Sequence, residues 1–263
     1  MALDTPFFET HEIEIDGVTV QYLTAGRGDP LVFFHGAGLI GGWDFARPWP
    51  DHFRLILPFH PGWGGSDDAP QFTSAQDFVD HHLAFVNALG LETFNLVGFS
   101  MGGWIASCFA AQHSDRIKKL VLVAPAGLRD EDHPGTDLFA VQPEDVLPYL
   151  AHDLNAFAPY APADPADPDF LAGLYRDNSS FAQLGWERMW EVGMERKLPR
   201  IANNTLLLWG DQDRVVPFGQ ADRWASLLPN VRIHRLKDVG HYPFLEDPQA
   251  HTVVTQFLTQ NNN

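Results

Sequence analysis

The sequence predicts an α/β fold: a mostly parallel, doubly wound sheet with an inserted helical cap. Three observations carry the prediction. Strand-like and helix-like segments alternate along the chain. Short continuous apolar runs, such as Leu31-Val-Phe-Phe34, suit strands buried on both faces. The stretch from Ala126 to Pro199 then breaks the alternation, holding eight of the twenty prolines and nine aromatic residues.

The first sixty residues read as strands. Ile13 and Ile15 alternate with Glu12, Glu14 and Asp16; Asp16-Gly17 makes a hairpin turn, and Val18, Val20 and Tyr22 resume the alternation. Leu31 to Phe34 and Leu55 to Leu57 are buried strands. Phe78, Leu83, Phe85, Val86 and Leu89 are spaced for an amphipathic helix from Ser74 to a stop at Gly90. A strand from Phe94 to Val97, a helix from Met101 to His113 and a strand from Lys119 to Val123 follow. After the interruption come a strand from Thr205 to Trp209, a helix near Gln220 to Leu228 and a strand from Val231 to Leu236. Asp247-Pro248 opens a last helix as an N-cap with proline at the first helical position.

Within the interruption, Leu147, Leu150, Leu154 and Phe157, and later Phe181, Leu184, Met189 and Trp190, have helical spacing, while Pro159 to Pro168 break it in the middle. A structureless loop of this length is unusual in a compact domain. Residues 1–125 and 200–263 are therefore expected to form the core, and residues 126–199 a helical cap.

Composition bounds the function. With 45% apolar and 19% charged residues, the chain can bury enough surface to fold, which excludes disorder. Thirty-four acidic against seventeen basic residues give a net charge of −17, which disfavours nucleic-acid and anionic-membrane partners. The span 126–199 holds −9 of that charge, an expected acidic cap exterior that discourages anionic substrates at its entrance. A single cysteine, Cys108, leaves no intramolecular disulfide and no multi-cysteine metal site. No apolar run approaches the ~18 residues of a membrane span. The first residues, Met1 to Glu9, lack a basic region followed by an apolar core, so a cytoplasmic location is expected, with Asn261 to Asn263 a frayed end.

Gly98-Phe99-Ser100-Met101-Gly102 matches G-x-S-x-G between a strand and a helix. A serine on so tight a turn has a strained backbone and needs small residues two positions either side. Gly103, Ala106 and Ala110 let the helix approach the sheet closely. The bland alternative is a serine helix cap after a strand.

With these residues in place, the sequence resembles the α/β-hydrolase family. His35-Gly-Ala-Gly38 after an early strand, the turn at Ser100, Trp209-Gly-Asp-Gln-Asp-Arg-Val-Val-Pro217 and Gly240-His241 carry the resemblance over nearly the whole chain. It implies a serine nucleophile, then an acid, then a histidine, in that chain order. A serine hydroxyl needs a base within hydrogen-bond reach. Of the histidines beyond the acid, His234 sits in a strand beside Arg232 and Leu236, and His251 in the last helix, where solvated positions are the default. His241 lies in the loop between them and is the expected base. The family pattern W-G-x-x-D-x-x-x-P places the acid at Asp213, with Asp211 the fallback; the alternative position, Ala124-Pro125-Ala126, holds no carboxylate.

Met101 supplies one backbone N–H for an oxyanion hole, and the resemblance assigns the second to Ala37, with Gly38 the near alternative. Gly38, Trp43, Phe99 and Tyr242 are candidate pocket residues, Trp43 being an equally good core residue. His35 reads as a structural hydrogen-bonder. Phe59 stands where the family usually has Asp in D-x-x-G-x-G-x-S, and His60 and Trp63 read as turn scaffold. Asp77, His81 and His82 have spacing for metal ligands, but a solvated helix face is the expectation, and no metal or cofactor is implied.

A serine at this turn implies acyl transfer to water. The expected reaction is hydrolysis of a small to medium, largely apolar carboxylic ester, with water as the only co-substrate. The alternative is cleavage of a C–C bond in aromatic ring-fission products, or of an enol-lactone; Met101-Gly-Gly103 is shared with the C–C branch, whereas Phe99 and Tyr242 replace its usual Asn and Trp. A ligand receptor with a residual triad is the alternative from another class. Oligomeric state is not legible.

Overall fold

The computed structural model describes residues 7–39, 42–142 and 145–260, so the expectation for Asn261 to Asn263 lies outside the described residues. Eight strands form one sheet: β1 (Glu9–Ile15), β2 (Val18–Ala25), β3 (Pro30–Phe34), β4 (Arg54–Pro58), β5 (Phe94–Phe99), β6 (Ile117–Val123), β7 (Thr205–Gly210) and β8 (Val231–Leu236). Their order is β1-β2-β4-β3-β5-β6-β7-β8. The β1–β2 and β2–β4 pairs are antiparallel, and every other pair is parallel. At the β1–β2 hairpin, Asp16 and Gly17 both have positive φ, 51° and 80°, which matches the right-handed twist of the strands they join.

Five core helices accompany the sheet: α1 (Ala75–Ala88), α2 (Met101–Gln112), and, after the insertion, α6 (Gln220–Leu227), α7 (Pro243–Glu246) and α8 (Gln249–Thr259). Ser74 caps α1 in a reciprocal capping box with Asp77. Asp247 is extended and accepts from Gln249 N at 2.8 Å, and Pro248 already has helical φ and ψ, so Asp247 caps the last helix as its sequence pattern suggests.

Neighbouring side chains on β3 show that both faces of the sheet are covered. Phe33 packs on Trp43 and Trp49, whereas Phe34 stacks on His82 at 4.1 Å and meets Phe109. Residues 31–34, 55–57 and 120–123 are all buried, as continuous apolar runs require.

Among the described residues between β6 and β7 lie three further α-helices, α3 (Leu147–Leu150), α4 (Pro168–Gly185) and α5 (Met194–Lys197). The predicted helix through Leu154 and Phe157 is a 3-10 segment, separated from α3 by the extended Ala151. Met189 and Trp190 fall beyond α4, because Trp190 pairs with Gly127 as a parallel bridge that draws the two ends of the insertion together. Past that bridge, Met194 and Leu198 are already buried in the core cluster.

Candidate active site

Ser100 sits between β5 and α2 at φ 53°, ψ −117°, a conformation costly for a residue with a Cβ. The surrounding backbone over-determines it: Ser100 N donates to Val123 O at 2.9 Å, and Ser100 O accepts from Trp104 N and Ala126 N at 3.1 and 3.0 Å. A Cβ on Gly98 would meet Gly102 O at 2.5 Å, and one on Gly102 would run into Phe34 O and His35 O. Glycine is what lets the turn be this tight.

His241, in the loop after β8, places Nε2 2.9 Å from Ser100 Oγ and Nδ1 2.8 Å from Asp213 Oδ2. Asp213 follows β7, and its other oxygen accepts from Val215 N at 2.8 Å and Val216 N at 2.9 Å. A carboxylate only accepts, so Nδ1 carries the imidazole proton and the bare Nε2 accepts from the serine hydroxyl. His241 and Asp213 are both buried. This is the arrangement that activates a hydroxyl nucleophile. Asp211, the fallback acid, instead pairs with Arg235 at 2.8 Å and accepts from Asp238 N.

Ala37, after β3, shares one cavity wall with Ser100, Met101 and His241. The cavity is roughly 1620 Å³, large against the ~300–1,000 Å³ of ordinary ligand pockets. Its far side comes from the insertion, including Phe139, Phe157, Phe181 and Trp190. Two polar clamps hold that insertion down. Arg176 of α4 pairs with Asp68 at 2.6 Å and donates to Gly64 O and Ser66 O. Glu246 accepts from Gly240 N through one oxygen and from His152 N and Asp153 N through the other. His241 N also donates to Leu150 O at 3.0 Å, so the base loop and the insertion are tied directly.

A match to the family model described as alpha/beta hydrolase fold spans residues 29–161 and 177–248, more than half of the chain. This chain belongs to the α/β-hydrolase fold family. Among its relatives is a 2-hydroxy-6-oxo-6-phenylhexa-2,4-dienoate hydrolase of Comamonas testosteroni, 27% identical over 90% of this chain and 89% of the relative. A 2-hydroxymuconate semialdehyde hydrolase of Pseudomonas sp. (strain CF600) is 26% identical over 89% of this chain and 88% of that protein. The crystal structure of a membrane phospholipase A, described as a bacterial virulence factor, superposes with a TM-score of 0.81 at 26% identity, covering 97% of this chain and 87% of that one.

In this α/β-hydrolase, a chain of neutral histidines supports the loop that carries Ala37. His35 Nδ1 donates to Gly36 O at 2.7 Å, leaving Nε2 to accept from His60 N at 2.9 Å. His60 Nε2 donates to His35 O, so its Nδ1 accepts from His82 Nε2 at 2.8 Å. Burial pushes His35 down to about 3, and burial together with the neighbouring imidazoles holds His60 and His82 well below the usual histidine range.

Four sequence expectations need correction. His81 and His82 do not face solvent: α1 packs them inward, against Phe72 and Phe34. Trp43 is not a pocket wall; it is 1% exposed and packs edge-on against Phe33 and Phe59. His251 is half-buried, donating to Phe244 O and packing on Trp49. Phe99 does not line the large cavity; it packs against His241 and Tyr242 and lines a smaller apolar void instead. Gly38 and Tyr242 do line the cavity. Glu246 and Arg176, which clamp the insertion, carried no motif; the partners that make them clamps, His152 and Asp153 for one and Gly64, Ser66 and Asp68 for the other, are brought near only by folding. Among the described residues, no group of three or more His, Cys, Asp or Glu side chains is placed to hold a metal ion. No helix there is long and apolar enough to cross a membrane.

Proposed function

We propose that this protein is a serine hydrolase in which Ser100 attacks a carbonyl carbon, and that the bond it releases is a C–C bond beside a ketone in a ring-fission dienoate. The Ser100–His241–Asp213 relay, with both hydrogen bonds under 3.0 Å, carries the first half of the reading. The second half draws on relatives that align along about nine-tenths of the chain. His241 Nε2 takes the proton from Ser100 Oγ as the C–O bond forms. The oxyanion turns toward the backbone N–H groups of Met101 and Ala37. The substrate reacts as its dioxo tautomer, the enol proton having moved to the carbon beside the attacked ketone. Collapse then releases that carbon as a carbanion delocalised onto the 2-keto oxygen, and the proton returned from His241 gives the 2-hydroxydienoate. Water, activated by the same histidine, then releases the acyl group from Ser100.

Ester hydrolysis by the same relay is the second reading, and the cavity wall favours it. Each arginine on that wall already has a carboxylate partner: Arg129 with Glu131, Arg176 with Asp68 and Arg188 with Glu187. Asp177 adds a further acid to the wall. Such a lining suits a neutral ester better than a dienoate anion.

One set of assays separates the readings. An alkyl fluorophosphonate, followed by peptide mass spectrometry, is expected to label Ser100. Ser100→Ala is expected to lose kcat/KM by roughly 10⁴-fold or more on any true substrate. If the native protein neither takes the label nor turns over any of these substrates, it is a receptor with an idle triad; turnover that survives Ser100→Ala overturns the role of Ser100. Ring-fission dienoates should be turned over with higher kcat/KM than p-nitrophenyl butyrate; the reverse order assigns the chain to esters.

A further inference from the structure

Residues 36–38 present three consecutive carbonyls, and each accepts a hydrogen bond from an aromatic side chain. His35 Nδ1 donates to Gly36 O at 2.7 Å, Trp63 Nε1 to Ala37 O at 2.7 Å, and Tyr242 Oη to Gly38 O at 2.8 Å. The donors come from three places: the end of β3, the loop after β4, and the residue beside His241. In a trans peptide the N–H points opposite to its C=O, so fixing a carbonyl fixes the direction of the next residue's N–H. The bonds to Gly36 O, Ala37 O and Gly38 O thereby orient the N–H groups of Ala37, Gly38 and Leu39.

We infer that Tyr242 and Trp63 are positioning residues for the oxyanion loop, and that Tyr242 couples that loop to the one carrying the base. His35 sets the Ala37 N–H directly, whereas Trp63 and Tyr242 fix the two peptides that follow and so keep Ala37 in place. The inference rests on the serine-hydrolase reading of the site and adds residues that act on the reaction without touching the reacting atoms. Three observations support it. The Tyr242 ring is held edge-on between Phe99, which precedes the nucleophile, and Phe157 of the insertion, with centroids 4.8 and 5.5 Å away. Burial, reinforced by the charge of Asp177, raises the phenol above its ordinary range, so it stays a neutral donor. Trp63 is fully buried and packs against the His35 and His60 rings.

A small apolar void lined by Gly36, Gly38, Phe45, Phe99 and Tyr242 borders the loop, so close packing alone does not hold the loop in place. Donors that must be pulled into place during the reaction stabilise the developing charge less than donors fixed beforehand.

The test uses Tyr242→Phe and Trp63→Phe, each of which removes the donor while keeping an aromatic ring in place. Three quantities are read for each: the second-order rate of Ser100 phosphonylation by the fluorophosphonate, the Ki of benzeneboronic acid, and kcat and KM for p-nitrophenyl butyrate. Phosphonate and boronate adducts on Ser100 place an oxygen in the oxyanion hole. Each variant is expected to lose about tenfold in phosphonylation rate and boronate affinity, less than the ~10²–10³-fold cost of deleting a donor outright. KM and melting temperature are expected to hold within twofold and two degrees or so. Wild-type rates and boronate affinities in both variants would overturn the inference while leaving the hydrolase reading intact. Losses that appear equally in KM and thermal stability would overturn it too, since those mark a packing role. If one variant fails to fold, the other decides. A native protein that fails to phosphonylate at Ser100 overturns the hydrolase reading and the inference with it.

Discussion

At Asp213 both carboxylate oxygens are engaged, Oδ1 by two backbone N–H groups and Oδ2 by His241 Nδ1. Asp213→Asn can keep the backbone bonds but presents an amide N–H to the imidazole. The histidine proton then moves to Nε2, where it blocks acceptance from Ser100. A fall in kcat of roughly 10³–10⁴-fold with little change in melting temperature is expected, measured on whichever substrate class proves active. Asp177, on the cavity wall, is the opposite case. Burial, partly offset by Arg176, pushes its carboxyl from 3.8 up to about 7. The folded state therefore binds this proton more tightly than the unfolded chain. That stabilisation is complete below about pH 4 and is lost as pH rises through 7. Asp177→Asn is expected to raise the melting temperature, and by more at pH 8 than at pH 5, at ~2–4 °C per kcal/mol for a chain of this size. An equal rise at both pH values would contradict the assignment. At this scale the sequence identified Asp213 through its pattern with Trp209 and Pro217, but held no sign of Asp177, whose significance comes from a cavity assembled by distant segments.

Elements with local signals are legible in the sequence. The strand preceding Ser100, the glycines around it and the helix that follows are all visible as a motif, because the geometric demand is itself local. Gly102→Ala tests that demand. Its Cβ would meet the carbonyls of Phe34 and His35, which are backbone and cannot rotate away. A loss of several kcal/mol in urea unfolding is expected, or failure to accumulate as folded protein, opposite in sign to the ~0.5–1 kcal/mol that an exposed helical Gly-to-Ala change contributes. The helix starting after Ser74 was legible from the local spacing of Phe78, Leu83, Phe85, Val86 and Leu89, and the structure adds a capping box that lies within four residues. The faces of α1 were not. His81 and His82 are polar by composition, and only the approach of Phe34, Phe72 and His60 turns that face into core. Met189 and Trp190 misled in the same way, since a bridge to Gly127 competes with helical continuation and wins.

Across the whole molecule, the sheet brings Ala37, Ser100, Asp213 and His241 to the same edge, after β3, β5, β7 and β8, as expected where ligands gather at the carboxyl ends of parallel strands. The insertion meets that edge through polar contacts as well as through apolar ones, Phe157 against Tyr242 and Phe181 and Leu184 within the core cluster. Glu246→Gln weakens the acceptors for Gly240, His152 and Asp153. Faster hydrogen exchange over residues 150–160 and a partial loss of kcat/KM are expected; unchanged exchange would mean that the Leu150–His241 contact and the apolar packing suffice to hold the insertion. The acidic wall gives a second test at this scale. Activity on an anionic substrate should rise with ionic strength while activity on a neutral ester stays flat. If both are flat, the −17 charge serves only solubility.

By itself the sequence determined the alternation of strands and helices, the strained serine turn and the order of serine, acid and histidine, because each is written in neighbouring residues whose sterics and polarity act over a few positions. Only the tertiary structure decided which of twelve histidines lie in the core, which tryptophan lines nothing, and how His35, Trp63 and Tyr242 converge on three successive carbonyls. Those contacts span up to 204 positions of chain, and no local pattern can encode a partner that far away.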